Sequence, residues 1–317
     1  MQNGQERKPD LVCSLEKEGF LGSFYQGDRY VDKAIIFVGG SGEPRNVVEA
    51  RAAILAREGY SVLAVGYYLW KPLSKQTVAI PLDYVELAID WLKGKCPVKV
   101  TKIGMIGLSL GAAYTALCGA YFPQIDCAIV VSGFDFVVEG CKNMVIRQHK
   151  SYFTLHGENI PYEPAEALSH LPATLKKWKK DPRYGSKAMN RFYYNECFKD
   201  RTDASRIKVE NGNCDWLFLA PGYDDTWPSD QAVKRMIQVL REKQYPHRYE
   251  CVIYEKGSHL LGMPNEALKA MGDVDKLMRM LGKFITMEKK YPKECMEARE
   301  ESYQKILSFL QESMIGG

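Results

Sequence analysis

Short apolar runs that alternate with amphipathic stretches constrain the fold of this chain more than any other feature of its sequence. The runs that predict strands are at 33–39, 61–68, 102–108, 127–133, 216–222 and 249–255. Helical spacing of apolar residues predicts helices at 47–58, 82–94, 111–122, 229–243 and 293–314. Strands that are apolar on successive residues are typical of a parallel sheet covered by helices on both faces. We therefore predict an α/β fold with a mostly parallel central sheet, to which residues 11–16 and 19–26 add two antiparallel strands.

Residues 134–212 do not follow this alternation, because they fall where one strand-to-strand crossover is needed and are far longer than one. The aromatic residues of this segment include Tyr152, Phe153, Tyr162, Phe192, Tyr193 and Tyr194. Long insertions beside the carboxyl ends of strands often form a lid or a substrate wall. We interpret the chain as one domain, 1–317, with an inserted lid or pocket wall at 134–212. The alternative is a structural excursion whose aromatic residues belong to the core.

Composition and charge argue against several classes of protein. The 317 residues are 46% hydrophobic and 26% charged, which is typical of a globular protein, and the net charge of +4 is spread along the sequence. These values give little support to a nucleic-acid partner. The first ten residues contain no apolar run, and no stretch approaches the roughly 20 apolar residues of a membrane helix. The nine cysteines are scattered and lack CxxC spacing, so we expect reduced thiols, no metal site and a cytoplasmic location.

Ser109 is the predicted nucleophile. It lies at the centre of the sequence Gly107-Leu108-Ser109-Leu110-Gly111, which follows the apolar strand at 102–108 and precedes a helix that begins with small residues. A GxSxG pattern is weak alone, but a strand before it and a helix after it are the context that a nucleophile elbow requires. The glycines allow a sharp turn in which the serine is exposed at the top of the sheet.

His259 is the histidine best placed to act as the base that a serine hydroxyl needs. It follows the last predicted strand in a Gly-Ser-His turn, which suits the chain order serine, acid, histidine. We assign surface or structural roles to the other histidines, which are His149, His156, His170 and His247.

Two consecutive aspartates, Asp224 and Asp225, compete for the role of the acid that orients the base. Both follow the predicted strand at 216–222. We prefer Asp225 because it lies three residues after Gly222, a common spacing in such loops, and we keep Asp224 as its rival.

The backbone donors for a developing oxyanion are predicted on two loops. One is the N–H of Leu110, at the start of the helix after the serine. The other is the N–H of Gly40 or Ser41, in the glycine-rich loop after the first core strand. That loop lacks the lysine and the spacing of a phosphate-binding P-loop.

Several stretches resemble the C-terminal catalytic domain of the acyl-CoA thioester hydrolase and bile acid-CoA:amino acid N-acyltransferase family, an α/β-hydrolase family near the dienelactone hydrolases. They are FVGGSG, EARAAILAREGYSVLAVGYY, IGLSLGAAYTAL, YFTLHGENIP, LFLAPGYDDTWPSDQA and YEKGSHLL, and they follow the order of the family. The resemblance implies an α/β-hydrolase fold. The interval from Asp225 to His259 also fits the family's spacing of acid and base, which again favours Asp225.

Two departures from the family limit what the resemblance implies. Animal members carry a β-sandwich domain before the hydrolase domain, and we expect that domain to be absent because only about 20 residues precede the predicted fold. The branch that conjugates amino acids typically uses a cysteine nucleophile, whereas this chain has Ser109. Hydrolysis is therefore favoured over conjugation.

The leading hypothesis is hydrolysis of an acyl thioester or ester through an acyl-serine intermediate, with no cofactor and a small-molecule substrate. A coenzyme A leaving group would give a role to the basic run 176–180, although a solvated helix face also explains that run. One alternative is a carboxylesterase that acts on a small or sterol-like ester. Another, from a different class, is a non-catalytic binding module that has kept the fold.

Overall fold

The computed structural model describes residues 7–142, 146–165, 167–179, 188–269 and 273–316. The strands are β1 (Leu11–Cys13), β2 (Leu21–Tyr25), β3 (Tyr30–Val38), β4 (Tyr60–Gly66), β5 (Ile80–Pro81), β6 (Lys102–Leu108), β7 (Cys127–Val131), β8 (Glu139–Lys142), β9 (Ile146–Ser151), β10 (Phe153–Leu155), β11 (Glu158–Asn159), β12 (Asp215–Pro221) and β13 (Tyr249–Tyr254). Eight of them form one sheet in the order β1-β2-β4-β3-β6-β7-β12-β13. The six from β4 to β13 in that order are parallel, and β1 and β2 are antiparallel additions at one edge. The predicted mostly parallel sheet is confirmed.

Helices cover both faces of this sheet, as the continuous apolar strands predict. They are α1 (Arg45–Ala56), α2 (Asp83–Gly94), α3 (Leu110–Tyr121), α4 (Ala167–Lys179), α5 (Ala188–Cys197), α6 (Ser229–Glu242), α7 (Asn265–Lys269), α8 (Val274–Phe284), α9 (Thr286–Lys290) and α10 (Pro292–Met314). Side chains of α2, α3 and α6 pack with Ile36 and Met105 on one face. Side chains of α1 and α10 pack with Ile35 and Ile106 on the other. Alternate residues of each strand thus enter different cores, and complete burial of one such side chain contributes roughly 1.5–3 kcal/mol.

The insertion at 134–212 contains a β8–β9 hairpin, the short strands β10 and β11, and the helices α4 and α5. β10 pairs with β5, which ties the insertion to the main domain. The buried carboxylate of Glu139 holds the hairpin: it accepts hydrogen bonds from Arg147 Nε at 2.8 Å, the His149 N–H at 2.8 Å and the Ala165 N–H at 3.0 Å. The insertion is therefore folded onto the domain, and its role as a lid stays a prediction.

The cysteines and the membrane prediction can also be compared with the structure. The described residues include all nine cysteines, and none of them forms a disulfide. Cys13, Cys118, Cys127, Cys214 and Cys295 are buried, and burial raises the pKa of each of these thiols. They are protonated core residues, as the apolar runs around several of them predict. Across the described part of the chain, no helix combines the length and the apolar character needed to cross a bilayer.

Candidate active site

Ser109 lies at the carboxyl end of β6, in the sharp turn that leads into α3. Its φ of 58° and ψ of −118° are strained for a residue with a side chain. A Cβ atom on Gly107 would lie 2.0 Å from the carbonyl oxygen of Gly111, and one on Gly111 would lie 2.4 Å from that of Gly39. The two glycines of the motif are therefore required by the close packing of β6, α3 and the loop after β3. The predicted strand, elbow and helix are all present.

His259 lies in the loop after β13 and reaches Ser109 across the top of the sheet. Its Nε2 atom is 2.8 Å from Ser109 Oγ, and its side chain is 12% exposed. The ring of Trp227 stands edge-on to the imidazole, with 5.3 Å between the ring centroids. The structure thus brings together the serine and the histidine that the sequence singles out.

The acid that contacts His259 is Asp224, so the preference for Asp225 is wrong. The carboxylate oxygens of Asp224 are 2.9 Å and 2.8 Å from His259 Nδ1. The same carboxylate accepts the Thr226 N–H at 2.9 Å and Ser229 Oγ at 2.6 Å, and Asp224 is fully buried. Four distances thus fix its orientation, which holds the imidazole with Nδ1 towards the acid and Nε2 towards the serine.

Asp225 is buried as well, but its side chain points to another part of the molecule. It accepts the Thr286 N–H at 2.8 Å and the Thr286 hydroxyl at 2.5 Å. Burial raises the pKa of Asp225 to about 6, against the two hydrogen bonds from Thr286 that lower it. The error has a physical reason: successive side chains of a tight loop leave the backbone in different directions, and spacing along the sequence does not show which one faces the histidine.

Two of the three predicted oxyanion donors, Leu110 and Gly40, lie beside Ser109. Leu110 is the first residue of α3, so its N–H has no acceptor one turn earlier in the helix. Gly40 approaches so closely that a Cβ on it would be 3.2 Å from Ser109 Cβ. However, the Gly40 N–H already donates to Glu43 Oε2 at 3.0 Å, and Arg51 pairs with the other carboxylate oxygen of Glu43 at 2.6 Å. The Gly40 N–H is therefore engaged, and Ser41 stays the predicted donor on this loop.

Two tyrosines directly after β4 hold the glycine-rich loop 39–42, and the sequence analysis missed both. The Tyr67 hydroxyl donates to the Gly39 carbonyl at 2.9 Å, and the Tyr68 hydroxyl donates to the Ser41 carbonyl. Burial raises the pKa of both phenols, so they remain protonated donors. With its carbonyls held, the loop presents its N–H groups in a fixed direction. The only available signal was the Tyr-Tyr pair directly after the apolar run at 61–66.

An aromatic cluster connects His259 to the insertion. Trp227 lies 5.0 Å from Phe134 and 5.9 Å from Tyr194 between ring centroids, and its Nε1 donates to the Ser132 carbonyl at 2.7 Å. Tyr194 belongs to α5 and is one of the aromatics that the sequence analysis left open between pocket and core. Its place in the cluster beside Trp227 makes it part of the wall behind the base. Phe134, Trp227 and Phe153 all belong to the main buried core.

Arg191 of α5 binds the loop that carries the acid. Its guanidinium donates to the Asp224 carbonyl at 3.1 Å and to Asp230 at 2.7 Å and 3.2 Å, and it lies 4.5 Å from the centre of the Tyr223 ring. The Arg191 N–H also donates to the Asp225 carbonyl at 3.1 Å. The insertion therefore braces the acid loop directly, a contact for which the sequence offered no signal.

The remaining candidates take structural positions. His149 approaches Glu139, His247 contacts Asn213, and His156 contacts Glu86, whose carboxylate raises the pKa of that histidine. Asp83, Glu86 and His156 place three possible metal-ligand atoms within 4.8 Å of one another, but hydrogen bonds within the group already join them. In the basic run, the exposed Lys177 of α4 pairs with Glu196 of α5, which fits a solvated helix face. Lys180 lies outside the described residues.

Known proteins are similar in sequence to most of this chain. Residues 80–316 match the model of the family described as "BAAT / Acyl-CoA thioester hydrolase C terminal". Acyl-coenzyme A thioesterase 2, mitochondrial, of Rattus norvegicus is 25% identical over 274 residues, which are 85% of this chain and 53% of that protein. Acyl-coenzyme A thioesterase 5 of Mus musculus is 32% identical over 233 residues, 69% of this chain and 47% of that protein. The chain spans about half the length of the curated relatives it matches.

A solved structure shows the same fold. The acylaminoacyl peptidase of Pyrococcus horikoshii superposes with a TM-score of 0.52 at 13% identity and covers 93% of this chain and 39% of its own. At that identity the likeness concerns the fold alone. It agrees with the parallel sheet, the elbow after β6 and the helices on both faces described above.

Proposed function

Because the chain belongs to the BAAT / acyl-CoA thioester hydrolase C-terminal family, we propose that it is a serine hydrolase that cleaves acyl thioesters through an acyl-Ser109 intermediate. The observation that carries the proposal is the continuous line of hydrogen bonds from Ser109 Oγ to His259 Nε2 and from His259 Nδ1 to Asp224. The names of the relatives, which are acyl-coenzyme A thioesterases, support coenzyme A as the leaving group.

In the first half of the reaction, Ser109 Oγ attacks the carbonyl carbon of the thioester. His259 Nε2 accepts the hydroxyl proton, at a distance of 2.8 Å that permits direct transfer. The Asp224 carboxylate stabilises the imidazolium that results, without taking the proton itself. When the tetrahedral intermediate collapses, the carbon–sulfur bond breaks, and Nε2 returns the proton to the departing sulfur, which leaves as a thiol.

In the second half, His259 takes a proton from water, whose oxygen attacks the acyl-serine. Collapse of this second intermediate breaks the ester bond and returns the proton to Ser109 Oγ, so that a free carboxylic acid is released and the enzyme is regenerated. In both halves the N–H groups of Leu110 and Ser41 would stabilise the oxyanion. Removal of one such donor costs roughly 100- to 1000-fold in rate in other serine hydrolases.

The choice of water as the acceptor follows from the nucleophile. The Ser109 ester transfers its acyl group to water more readily than to a weakly nucleophilic amine, so hydrolysis is favoured over conjugation. Phe134 and Trp227 are buried and pack with Tyr194 beside His259, so we assign this cluster to support of the imidazole and not to contact with the acyl chain.

The test is a pair of substrate series given to the purified protein: acyl-coenzyme A esters of increasing chain length, followed by thiol release, and matched p-nitrophenyl esters. Ser109→Ala removes the nucleophile. Ser308→Ala is the matched control, since Ser308 lies on α10 and its hydroxyl donates to the carbonyl of Lys305 within the same helix. Acyl-CoA turnover that disappears in Ser109→Ala alone supports the proposal. Ester turnover without acyl-CoA turnover would replace the thioesterase with a carboxylesterase. Absence of both, with no labelling by a fluorophosphonate, would favour a non-catalytic module.

A further inference from the structure

One short helix contacts the neighbours of both the acid and the base. Thr286, the first residue of α9, donates from its N–H and its hydroxyl to the carboxylate of Asp225, which directly follows the acid Asp224. Glu288, two residues later, accepts a hydrogen bond of 2.5 Å from the hydroxyl of Ser258, which directly precedes the base His259. The acid and the base are 35 residues apart in sequence, and α9 bridges the two loops that carry them.

The bridge is sealed from water and anchored to the last helix. Thr286, Glu288, Ser258 and Asp225 are each no more than 2% exposed. Glu288 also accepts a hydrogen bond of 2.5 Å from Arg299 of α10, and both members of this ion pair have fully buried side chains. A buried ion pair is costly to rearrange, because separation leaves a charge without a partner in a region of low dielectric. Helix α9 is therefore a rigid support for the two loops that carry Asp224 and His259.

Further contacts hold the loop that carries His259, residues 255–264, on the same helix, α10. The Gly262 N–H donates to Ser302 Oγ at 2.8 Å, and Cys295 Sγ lies 3.2 Å from the Lys256 carbonyl. These contacts fix the ends of the loop, whereas the Ser258–Glu288 bond lies beside the catalytic residue itself. Among these contacts with α9 and α10, that bond is the one nearest to His259 in sequence.

We infer that Thr286 and Glu288 are positioning residues that keep Asp224 and His259 at hydrogen-bond distance, an inference that rests on the proposed serine-hydrolase function. Neither residue touches the reacting atoms. Each acts through the neighbour of a catalytic residue, so its loss displaces one end of the Asp224–His259 contact. A displacement of about 1 Å at such a site can cost roughly 100-fold in rate. For the loss of one supporting hydrogen bond we expect a decrease in kcat of about tenfold, with KM unchanged, because the bond lies behind the catalytic residues and does not contact the substrate.

The test uses two variants that remove one bond each and leave the ion pair intact, Thr286→Val and Ser258→Ala. Thr286→Ser restores the hydroxyl and is the rescue variant. Thr101→Val is the matched control: Thr101 also donates to an aspartate, Asp32, at 2.6 Å, but it precedes β6 and so lies at the opposite edge of the sheet from Ser109. The readouts are kcat and KM for thioester hydrolysis, and the rate at which a fluorophosphonate labels Ser109, which needs no natural substrate.

We expect slower labelling and lower kcat in Thr286→Val and in Ser258→Ala, recovery in Thr286→Ser, and wild-type values in Thr101→Val. When Thr286→Val and Ser258→Ala are combined, the fold-decrease in kcat should be smaller than the product of the two single fold-decreases, because both bonds support the Asp224–His259 contact. Wild-type kcat and labelling in both single variants would overturn the inference while leaving the proposed function intact. A wild type whose Ser109 is neither labelled nor required for turnover would overturn both.

Discussion

Replacement of one of two adjacent aspartates tests the assignment of the acid with almost no change in shape. Asp224→Asn and Asp225→Asn remove the same charge from consecutive buried residues of one loop. In Asp224→Asn, the amide oxygen must face the Thr226 N–H, since that group can only donate, and the amide nitrogen can donate to Ser229 Oγ. The nitrogen then lies at the position 2.8 Å from His259 Nδ1.

An amide N–H at that position favours the imidazole tautomer that accepts at Nδ1 and carries its proton on Nε2. Such a histidine donates to Ser109 Oγ and cannot take its proton. In a serine protease the corresponding change lowers kcat about 10⁴-fold, which corresponds to roughly 5 kcal/mol of transition-state stabilisation. We expect a loss of this order in Asp224→Asn. In Asp225→Asn the catalytic contacts persist, and the new amide can accept the Thr286 N–H and donate to the Thr286 hydroxyl, so the decrease should stay within about tenfold.

The assay is kcat/KM for thioester hydrolysis, measured by thiol release, with circular dichroism and thermal unfolding to verify that both variants fold. A large loss in Asp225→Asn together with near-normal rates in Asp224→Asn would refute the assignment and restore the original preference for Asp225. Equal losses in two folded variants would show that the loop acts as a unit and that the contact with His259 Nδ1 is not decisive.

Three further predictions concern the surroundings of the triad. The pKa of Asp225 is raised to about 6, so the folded protein binds a proton at this carboxylate more tightly than the unfolded chain does. The free energy of unfolding, measured in urea and compared with that of Asp225→Asn, should therefore fall by at most about 3 kcal/mol as pH rises from about 4 to 7. Gly111→Ala should lower the free energy of unfolding by roughly 1–3 kcal/mol, because the new Cβ would lie 2.4 Å from the Gly39 carbonyl oxygen. The control Gly94→Ala, which has open space around the new Cβ, should be neutral or stabilising. Arg191→Met should lower thermal stability and kcat together, since it leaves three oxygen atoms, the Asp224 carbonyl oxygen and both carboxylate oxygens of Asp230, without their donor. An unchanged kcat would contradict a role of Arg191 in bracing the acid loop.

The sheet and its helices could be predicted because each strand carries its own apolar signal. The run at 102–108, the glycines around Ser109 and the small residues after it are adjacent in sequence, so the local pattern contains the whole elbow. The same holds for His259, which directly follows a strand and a Gly-Ser turn. These are short-range features, and the structure keeps each of them.

The choice between Asp224 and Asp225 could not be made in this way, because it depends on partners that lie far along the chain. Thr286, which engages Asp225, is 61 residues away. Two nearer signals did favour Asp224: Thr226 two residues later and Ser229 five residues later can both donate to its carboxylate, in the manner of a capping aspartate. Their weight becomes clear only when the position of His259 is known.

The contacts of the insertion and of α9 were also beyond the sequence pattern. Arg191 is one of several basic residues in the insertion, and nothing in its neighbourhood distinguishes it from a surface residue. Its role depends on the fold of the insertion over the acid loop. The Glu288–Arg299 ion pair likewise joins residues of two separate helices, and only burial shows that it supports the site.

The central claim is that Ser109 carries the acyl group, and mass spectrometry of the trapped intermediate tests it most directly. The protein is mixed with an acyl-coenzyme A, quenched with acid within the first turnover and digested, and the acylated peptide is located. We expect the mass of the acyl group on the peptide that contains Ser109, and no adduct in Ser109→Ala. Turnover with the acyl group on another residue, or undiminished turnover in Ser109→Ala, would contradict the account.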